Sequence, residues 1–228
     1  MSTIADNIAQ VSSRIHAAAV AAKRDADSVQ LLAVSKTKPA EALREAYAAG
    51  LRDFGENYLQ EALSKQLELA DLPLIWHFIG PIQSNKTRAI AEHFAWVHSV
   101  DRLKIAQRLS EQRPADLPPL NICIQVNVSG EASKSGCTPA DLPALANAIS
   151  ELPRIKLRGL MAIPEPTEDR AAQDAAFAAV QSLQASLNLP LDTLSMGMSH
   201  DLESAIAQGA TWVRIGTALF GARDYGQP

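Results

Sequence analysis

Lys36 is the residue in this sequence best suited to covalent chemistry. It follows the apolar run Leu31-Leu32-Ala33-Val34-Ser35, so it stands where a buried strand emerges. Partial desolvation at such a place disfavours the ammonium form and frees the amine to attack a carbonyl, giving an imine. A solvated lysine at a strand end is the plainer alternative, and Lys38 fits that description better. Two distant stretches bear on the choice: Gly197-Met198-Ser199-His200-Asp201 and Gly216-Thr217-Ala218. Small residues and hydroxyls there let backbone N–H donors approach an anion, although each glycine alone reads equally well as a tight turn. An amine beside a phosphate cradle is what an aldehyde cofactor with a phosphate handle requires. Arg214 lies two residues before Gly216, on the same side of an extended chain. Pointing inward, it brings a guanidinium that keeps its proton. Against a heteroaromatic ring nitrogen it would leave that nitrogen unprotonated and weaken the ring as an electron sink. The alternative is an interior arginine paired with a carboxylate.

The elements that must position these groups alternate regularly. Strands are read near Leu31–Ser35, Asp53–Gly55, Leu74–Ile79, Trp96–Ser99, Asn121–Asn127, Lys156–Ala162, Thr193–Met196 and Trp212–Gly216. Helical patterns fill the gaps, as in Pro39–Ala49, Asn57–Ala70, Arg102–Glu111, Thr138–Glu151, Glu168–Leu187 and His200–Gln208. Residues 4 to 24 carry Ile4, Ile8, Val11 and Ile15 at helical spacing, so residues 1–28 are expected to form an N-terminal helical segment packed on the rest. Gly50 and Gly209 stand where a helix must end before the chain re-enters the sheet. Pro39 suits a first helical turn. Eight strands alternating with helices, about 28 residues per unit over 228 residues, predict a single (β/α)8 TIM barrel over residues 1–228. An open doubly wound sheet is the alternative, but it usually carries a Gly-rich first turn that this chain lacks. In a barrel the strand C-termini carry function, and the last strand neighbours the first. Lys36 and both small-residue loops then share one mouth.

Composition narrows the function. The chain is 47% hydrophobic and 20% charged, with a net charge of -4 and a pI near 5.7. Its basic residues are scattered, so no nucleic-acid partner is expected. The early apolar stretch Ala17–Ala22 is too short for a bilayer, and no membrane association is expected. Cys123 and Cys137 lack metal-ligand spacing, and Cys137 reads as an inert thiol; a reducing, cytoplasmic setting is expected. His16, His77, His93, His98 and His200 show no paired-ligand spacing, so no metal is expected. The segment Gly130–Gly136 reads as a polar loop over the mouth; Lys134 in it is a second candidate amine or a solvated surface lysine.

Seven ordered motifs then carry a resemblance over nearly the whole chain. They are Val34-Ser35-Lys36-Thr37-Lys38, Phe54-Gly55-Glu56-Asn57-Tyr58 and Trp76-His77-Phe78-Ile79-Gly80-Pro81-Ile82-Gln83-Ser84-Asn85-Lys86. Lys134-Ser135-Gly136, Leu157-Arg158-Gly159-Leu160-Met161-Ala162-Ile163 and Leu194-Ser195-Met196-Gly197-Met198-Ser199 follow. Val213-Arg214-Ile215-Gly216-Thr217-Ala218-Leu219-Phe220-Gly221-Ala222-Arg223 completes the set. The chain resembles the pyridoxal phosphate homeostasis proteins of the YggS/PROSC type, built like the N-terminal barrel of alanine racemase. The resemblance implies that pyridoxal 5'-phosphate is held as a covalent imine on Lys36. It implies that Ser199, Gly216 and Thr217 hold the phosphate, that Arg214 faces the pyridine nitrogen, and that Asn57 and Met161 line the cofactor, with His77 a weaker candidate on the far wall. Family members are regarded as cofactor carriers that buffer the intracellular pool, with PLP-requiring apo-enzymes as candidate recipients and no established catalysis.

Two enzymatic readings compete. A PLP-dependent amino-acid racemase needs a second acid/base on the opposite cofactor face, supplied in alanine racemases by a tyrosine of the partner's extra domain. The sequence ends at Pro228, and Tyr47, Tyr58 and Tyr225 are not obviously placed for that role. A monomer is expected for the same reason. A class I aldolase would instead form its imine with substrate.

Overall fold

The computed structural model describes residues 2–132 and 135–222. Helix α1 (Ile4–Ala21) precedes β1 (Gln30–Val34), α2 (Ala40–Ala48), β2 (Asp53–Glu56), α3 (Leu59–Glu68) and β3 (Ile75–Phe78). A 3₁₀ turn then leads into α4 (Thr87–His93), β4 (Trp96–Val100), α5 (Leu103–Gln112), β5 (Leu120–Gln125) and α6 (Leu142–Ser150). The chain continues through β6 (Ile155–Met161), α7 (Arg170–Ser186), β7 (Thr193–Ser195), α8 (Leu202–Ala207), β8 (Trp212–Ile215) and α9 (Thr217–Phe220). The strands are parallel and close in the order β1 through β8, with Gln30 to Ala33 paired against Trp212 to Ile215. This is the TIM barrel expected from the alternation.

Helix α1 starts at a reciprocal capping box between Thr3 and Asp6 and buries Ile8, Val11, Ile15 and Ala19. Its polar side reaches the end of the chain's barrel turn: Asn7 Nδ2 donates to the Leu219 carbonyl at 2.9 Å, and Arg14 pairs with Glu203 in α8. Gly50 and Gly209 both take positive φ after their helices, as expected. Pro39 precedes the first helical turn of α2 instead of lying in it. Helices α4 and α9 are absent from the periodic pattern, being only seven and four residues long.

Two different cores result. Outward-facing strand residues such as Phe54, Val97, Ile122 and Val213 pack with Leu43, Ile90, Leu109 and Phe177 from the helices in one continuous apolar layer. Inside the barrel, Trp96, Cys123 and Met161 form a separate cluster, accompanied by buried His77, His98, Ser195 and Arg214. The interior is therefore aromatic and polar where branched aliphatics usually dominate. The pairing of β4 with β5 shifts register between Val97 and Val100, across His98 and Ser99. Such irregularities re-aim side chains. Here His98 turns into the barrel, while the Ser99 hydroxyl donates to the Gly80 carbonyl at 2.6 Å.

Candidate functional site

A cavity of about 380 Å³ opens at the C-terminal ends of the strands. Its wall includes Lys36 and Val34 from the β1 end, Asn57 after β2, Ser199 after β7, and Arg214, Gly216 and Thr217 from β8 and its loop. The size lies within the range of small-molecule sites. Of the residues expected at the site, six meet on this one wall. Met161 does not: it is fully buried against Trp96 and Cys123, one layer deeper. His77 also lies beneath the cavity floor, completely buried. Lys134 and Tyr225 lie outside the described residues. A smaller lobe of about 210 Å³ shares Asn57 and Ile79 and extends to Gln125 and Ser135.

The wall is rich in basic side chains. Lys36, Lys38, His200 and Arg214 line it, and no Asp or Glu does so among the described residues. The β7 loop is shaped for close approach. Gly197 has φ +99, and a Cβ there would meet the Ala205 Cβ at 2.6 Å, so only glycine lets the loop settle onto α8. The Met198 amide donates to Asp201 Oδ1 at 2.7 Å, and Arg14 Nη2 in α1 donates to the Ser199 carbonyl at 2.9 Å. Opposite, the first amides of the turn beginning at Thr217 have no intrahelical acceptor. The two loops thus bring backbone from the ends of β7 and β8 to the same cavity wall.

Lys36 is half-buried and held by its neighbours. Thr37 adopts φ +65, an unusual conformation for a β-branched residue, and its amide donates to Glu61 Oε1 at 2.5 Å. On the other side, the Ser35 carbonyl accepts from Lys65 Nζ at 2.7 Å. Lys65 Nζ also donates to Glu56 Oε1 at 2.7 Å and Glu61 Oε1 at 2.6 Å, and the Ser35 hydroxyl donates to Glu56 Oε1 at 2.8 Å. Burial raises the Glu56 carboxyl above its ordinary value, against the lowering by Lys65 and Ser35. This Glu56–Glu61–Lys65 cluster, between the barrel and α3, escaped the reading from sequence. Its detectable signal was the i,i+4 pair Glu61–Lys65 on a helix following an acidic strand end.

Arg214 is 4% exposed and donates to Ser195 Oγ at 2.8 Å and the Ala162 carbonyl at 3.0 Å. Neither partner is a carboxylate, contrary to the paired-arginine alternative. Burial lowers its pKa to about 10, still charged at neutral pH, with Asp201 opposing the shift. Asn57 Oδ1 is buried without a hydrogen-bond partner. An orphaned acceptor, a buried guanidinium and a lysine on one wall fit an anionic, ring-bearing carbonyl compound such as pyridoxal phosphate. The cysteines offer no rival chemistry: burial pushes Cys123 up to about 12 and Cys137 up to about 11, which keeps both as thiols. Among the described residues, no helix is long and apolar enough to cross a membrane.

Comparison with known proteins agrees with this geometry. Residues 1–224 match the family described as alanine racemase, N-terminal domain. The chain is 79% identical over 228 residues to the pyridoxal phosphate homeostasis protein of Pseudomonas aeruginosa, covering 100% of this chain and 99% of that one. It is 56% identical over 231 residues to the protein of the same name from Escherichia coli K12, covering 99% of each. The solved structure of PipY from Synechococcus elongatus PCC7942 with PLP bound superposes with a TM-score of 0.85 at 45% identity, covering 96% of this chain and 100% of that one.

Proposed function

The chain belongs to the pyridoxal phosphate homeostasis proteins, within the alanine racemase N-terminal domain family, and from that premise we propose that it carries and buffers pyridoxal phosphate as a covalent adduct of Lys36. The convergence of Lys36, Arg214 and the two small-residue loops on one cavity, without Asp or Glu in its lining among the described residues, supports this reading most strongly. Residues 1–228 act as one cofactor-binding unit, with residues 1–28 as the segment that braces it.

The roles follow from chemistry. Lys36 supplies the amine. Backbone donors around Ser199, Gly216 and Thr217 receive the phosphate, and Asn57 offers its orphaned acceptor to a polar ring substituent. Arg214 holds a fixed charge towards the ring nitrogen, which discourages protonation there. Bound pyridoxal phosphate supplies an electron sink in many enzymes; a guanidinium at that nitrogen blunts it, consistent with carriage in place of turnover. Delivery is to PLP-requiring apo-enzymes in the cytoplasm, and the carrier works as a monomer.

Absorbance of the protein reconstituted with pyridoxal phosphate tests this reading. The wild type should show the visible band of a lysine-bound cofactor, and Lys36→Ala should lose it. A band retained in Lys36→Ala, or absent from the wild type, removes the proposal. Racemisation of free alanine or serine at ordinary enzymatic turnover would replace carriage by catalysis.

A further inference from the structure

Below the cofactor cavity, an unbroken line of hydrogen bonds crosses the barrel interior. Arg214 Nη1 donates to Ser195 Oγ at 2.8 Å, and Ser195 Oγ lies 2.7 Å from His98 Nδ1. His98 Nε2 lies 2.9 Å from His77 Nδ1, and His77 Nε2 lies 2.8 Å from Asp53 Oδ1. Asp53 opens β2 at the opposite end of the barrel, with its side chain 23% exposed. The three residues between are wholly buried. Aromatic walls immobilise both imidazoles. His77 stacks on Trp96 with centroids 5.5 Å apart and planes 8° apart, and the Trp212 centroid lies 4.9 Å from His77.

Proton inventory gives this line a direction. As a carboxylate, Asp53 only accepts, so His77 must carry its proton on Nε2. Burial lowers the pKa of both imidazoles, that of His98 further because His77 and Arg214 add to it, so each carries one proton at neutral pH. A neutral His77 then accepts at Nδ1, which requires the proton of His98 on Nε2. His98 Nδ1 in turn accepts, and the Ser195 hydroxyl must donate to it. That leaves the Ser195 lone pairs facing Arg214. Every link has one donor and one acceptor; the guanidinium of Arg214 can only donate, and reversing the other links needs a protonated Asp53. Hydrogen bonds aligned in one sense polarise one another in a low-dielectric interior.

We propose that Asp53, His77, His98 and Ser195 are positioning residues that form a one-way hydrogen-bond chain, fixing the guanidinium of Arg214 beneath the cofactor, with Asp53 setting its direction. The proposal rests on the cofactor reading for its purpose, but its wiring is a property of the protein alone. Arg214 lacks a carboxylate on its own hydrogen bonds, and the chain supplies a polarised acceptor in its place. A cofactor carrier gains from this because a guanidinium held in one place sets how firmly the ring is retained.

The test has two parts. Long-range ¹H–¹⁵N correlation spectra of the ¹⁵N-histidine-labelled protein, without added cofactor, should show His77 and His98 as neutral Nε2–H tautomers. Asp53→Ala should convert at least one of them to a tautomer mixture, which a loss of packing at the barrel floor would not do. Release of pyridoxal phosphate should quicken about tenfold in Ser195→Ala and about threefold in Asp53→Ala. The double variant should release no faster than Ser195→Ala, because cutting a chain twice adds nothing. Wild-type histidines found as Nδ1–H tautomers or charged would overturn the chain, and so would multiplied effects in the double variant. Should Ser195→Ala fail to fold, the Asp53→Ala spectrum still decides. Both Nε2–H tautomers in a protein that takes up no pyridoxal phosphate would retire the cofactor reading while leaving the chain's direction established.

Discussion

Lys36 follows β1 and Lys65, from α3, reaches the Ser35 carbonyl beside it, yet the surroundings of the two amines differ. Lys65 is buried between the barrel and α3 with two carboxylates and a carbonyl on its ammonium. These three acceptors fix its amine in place. Lys36 stands on a cavity wall among Val34, Asn57, Arg214 and Gly216, with no carboxylate on that wall among the described residues. The Lys36 amine borders open space large enough for a small carbonyl compound, whereas the Lys65 amine is enclosed by protein acceptors. The comparison teaches that access to a cavity separates a lysine that can meet a ligand from one that holds the fold. It also assigns Lys65 a purpose: Lys65 and Glu61 fasten the backbone at Ser35 and Thr37, on both sides of Lys36.

Lys65→Met should sharpen this contrast most. It leaves Glu56 buried without its cation, a loss of about 3–5 kcal/mol in denaturant unfolding. Molecules that still fold should form the cofactor band, since the amine of Lys36 is intact; a normally stable Lys65→Met protein would break the comparison. Glu56→Gln should cost about 1–3 kcal/mol by the same measurement. Its cost has a pH dependence with a definite sign. Burial raises the Glu56 carboxyl in the folded chain, so the folded state holds that proton more tightly than the unfolded one. The corresponding stability is complete below the unfolded value and declines as pH rises through the raised folded value. The gap between Glu56→Gln and wild type should therefore narrow as pH rises above the ordinary carboxylate range. Thr37→Gly relieves a β-branched residue at positive φ and should stabilise by about 0.5–1 kcal/mol. It should also speed cofactor release, because the residue after Lys36 is then less constrained. Lys36→Met should change stability by less than about 1 kcal/mol while abolishing the band. A large stability loss there would mean that Lys36 serves the fold as Lys65 does.

Much of this architecture was legible because periodicity reports burial. All eight strands fall where β-branched runs alternate with helical stretches, within a residue or two, and Lys36 to Arg214 could be placed on one mouth from closure alone. Short elements were not legible. Helix α9 has four residues, too few for a periodic face. Met161 enters the site only through the family resemblance: alternation along a strand does not say how far down the barrel a side chain ends, and here Met161 packs on Trp96 and Cys123. The polar interior was invisible for a related reason. His77, His98, Ser195 and Asp53 come from four strands, and only the register of β2 through β7 brings them into line. The Glu56–Lys65 pair hid because a charged residue in a strand ordinarily reads as solvated.

Arg14 in the first helix supports the Ser199 carbonyl across a sequence separation of 185 residues, and β1 closes on β8. The order of synthesis makes this a matter of timing. Lys36 leaves the ribosome early, but neither the cradle opposite it nor the brace from α1 can assemble until the final strand is released. Contacts so distant along the chain form late and slowly. A nascent chain interrupted before β8 would therefore expose an amine and an unclosed sheet edge together, and cofactor uptake would begin only at completion.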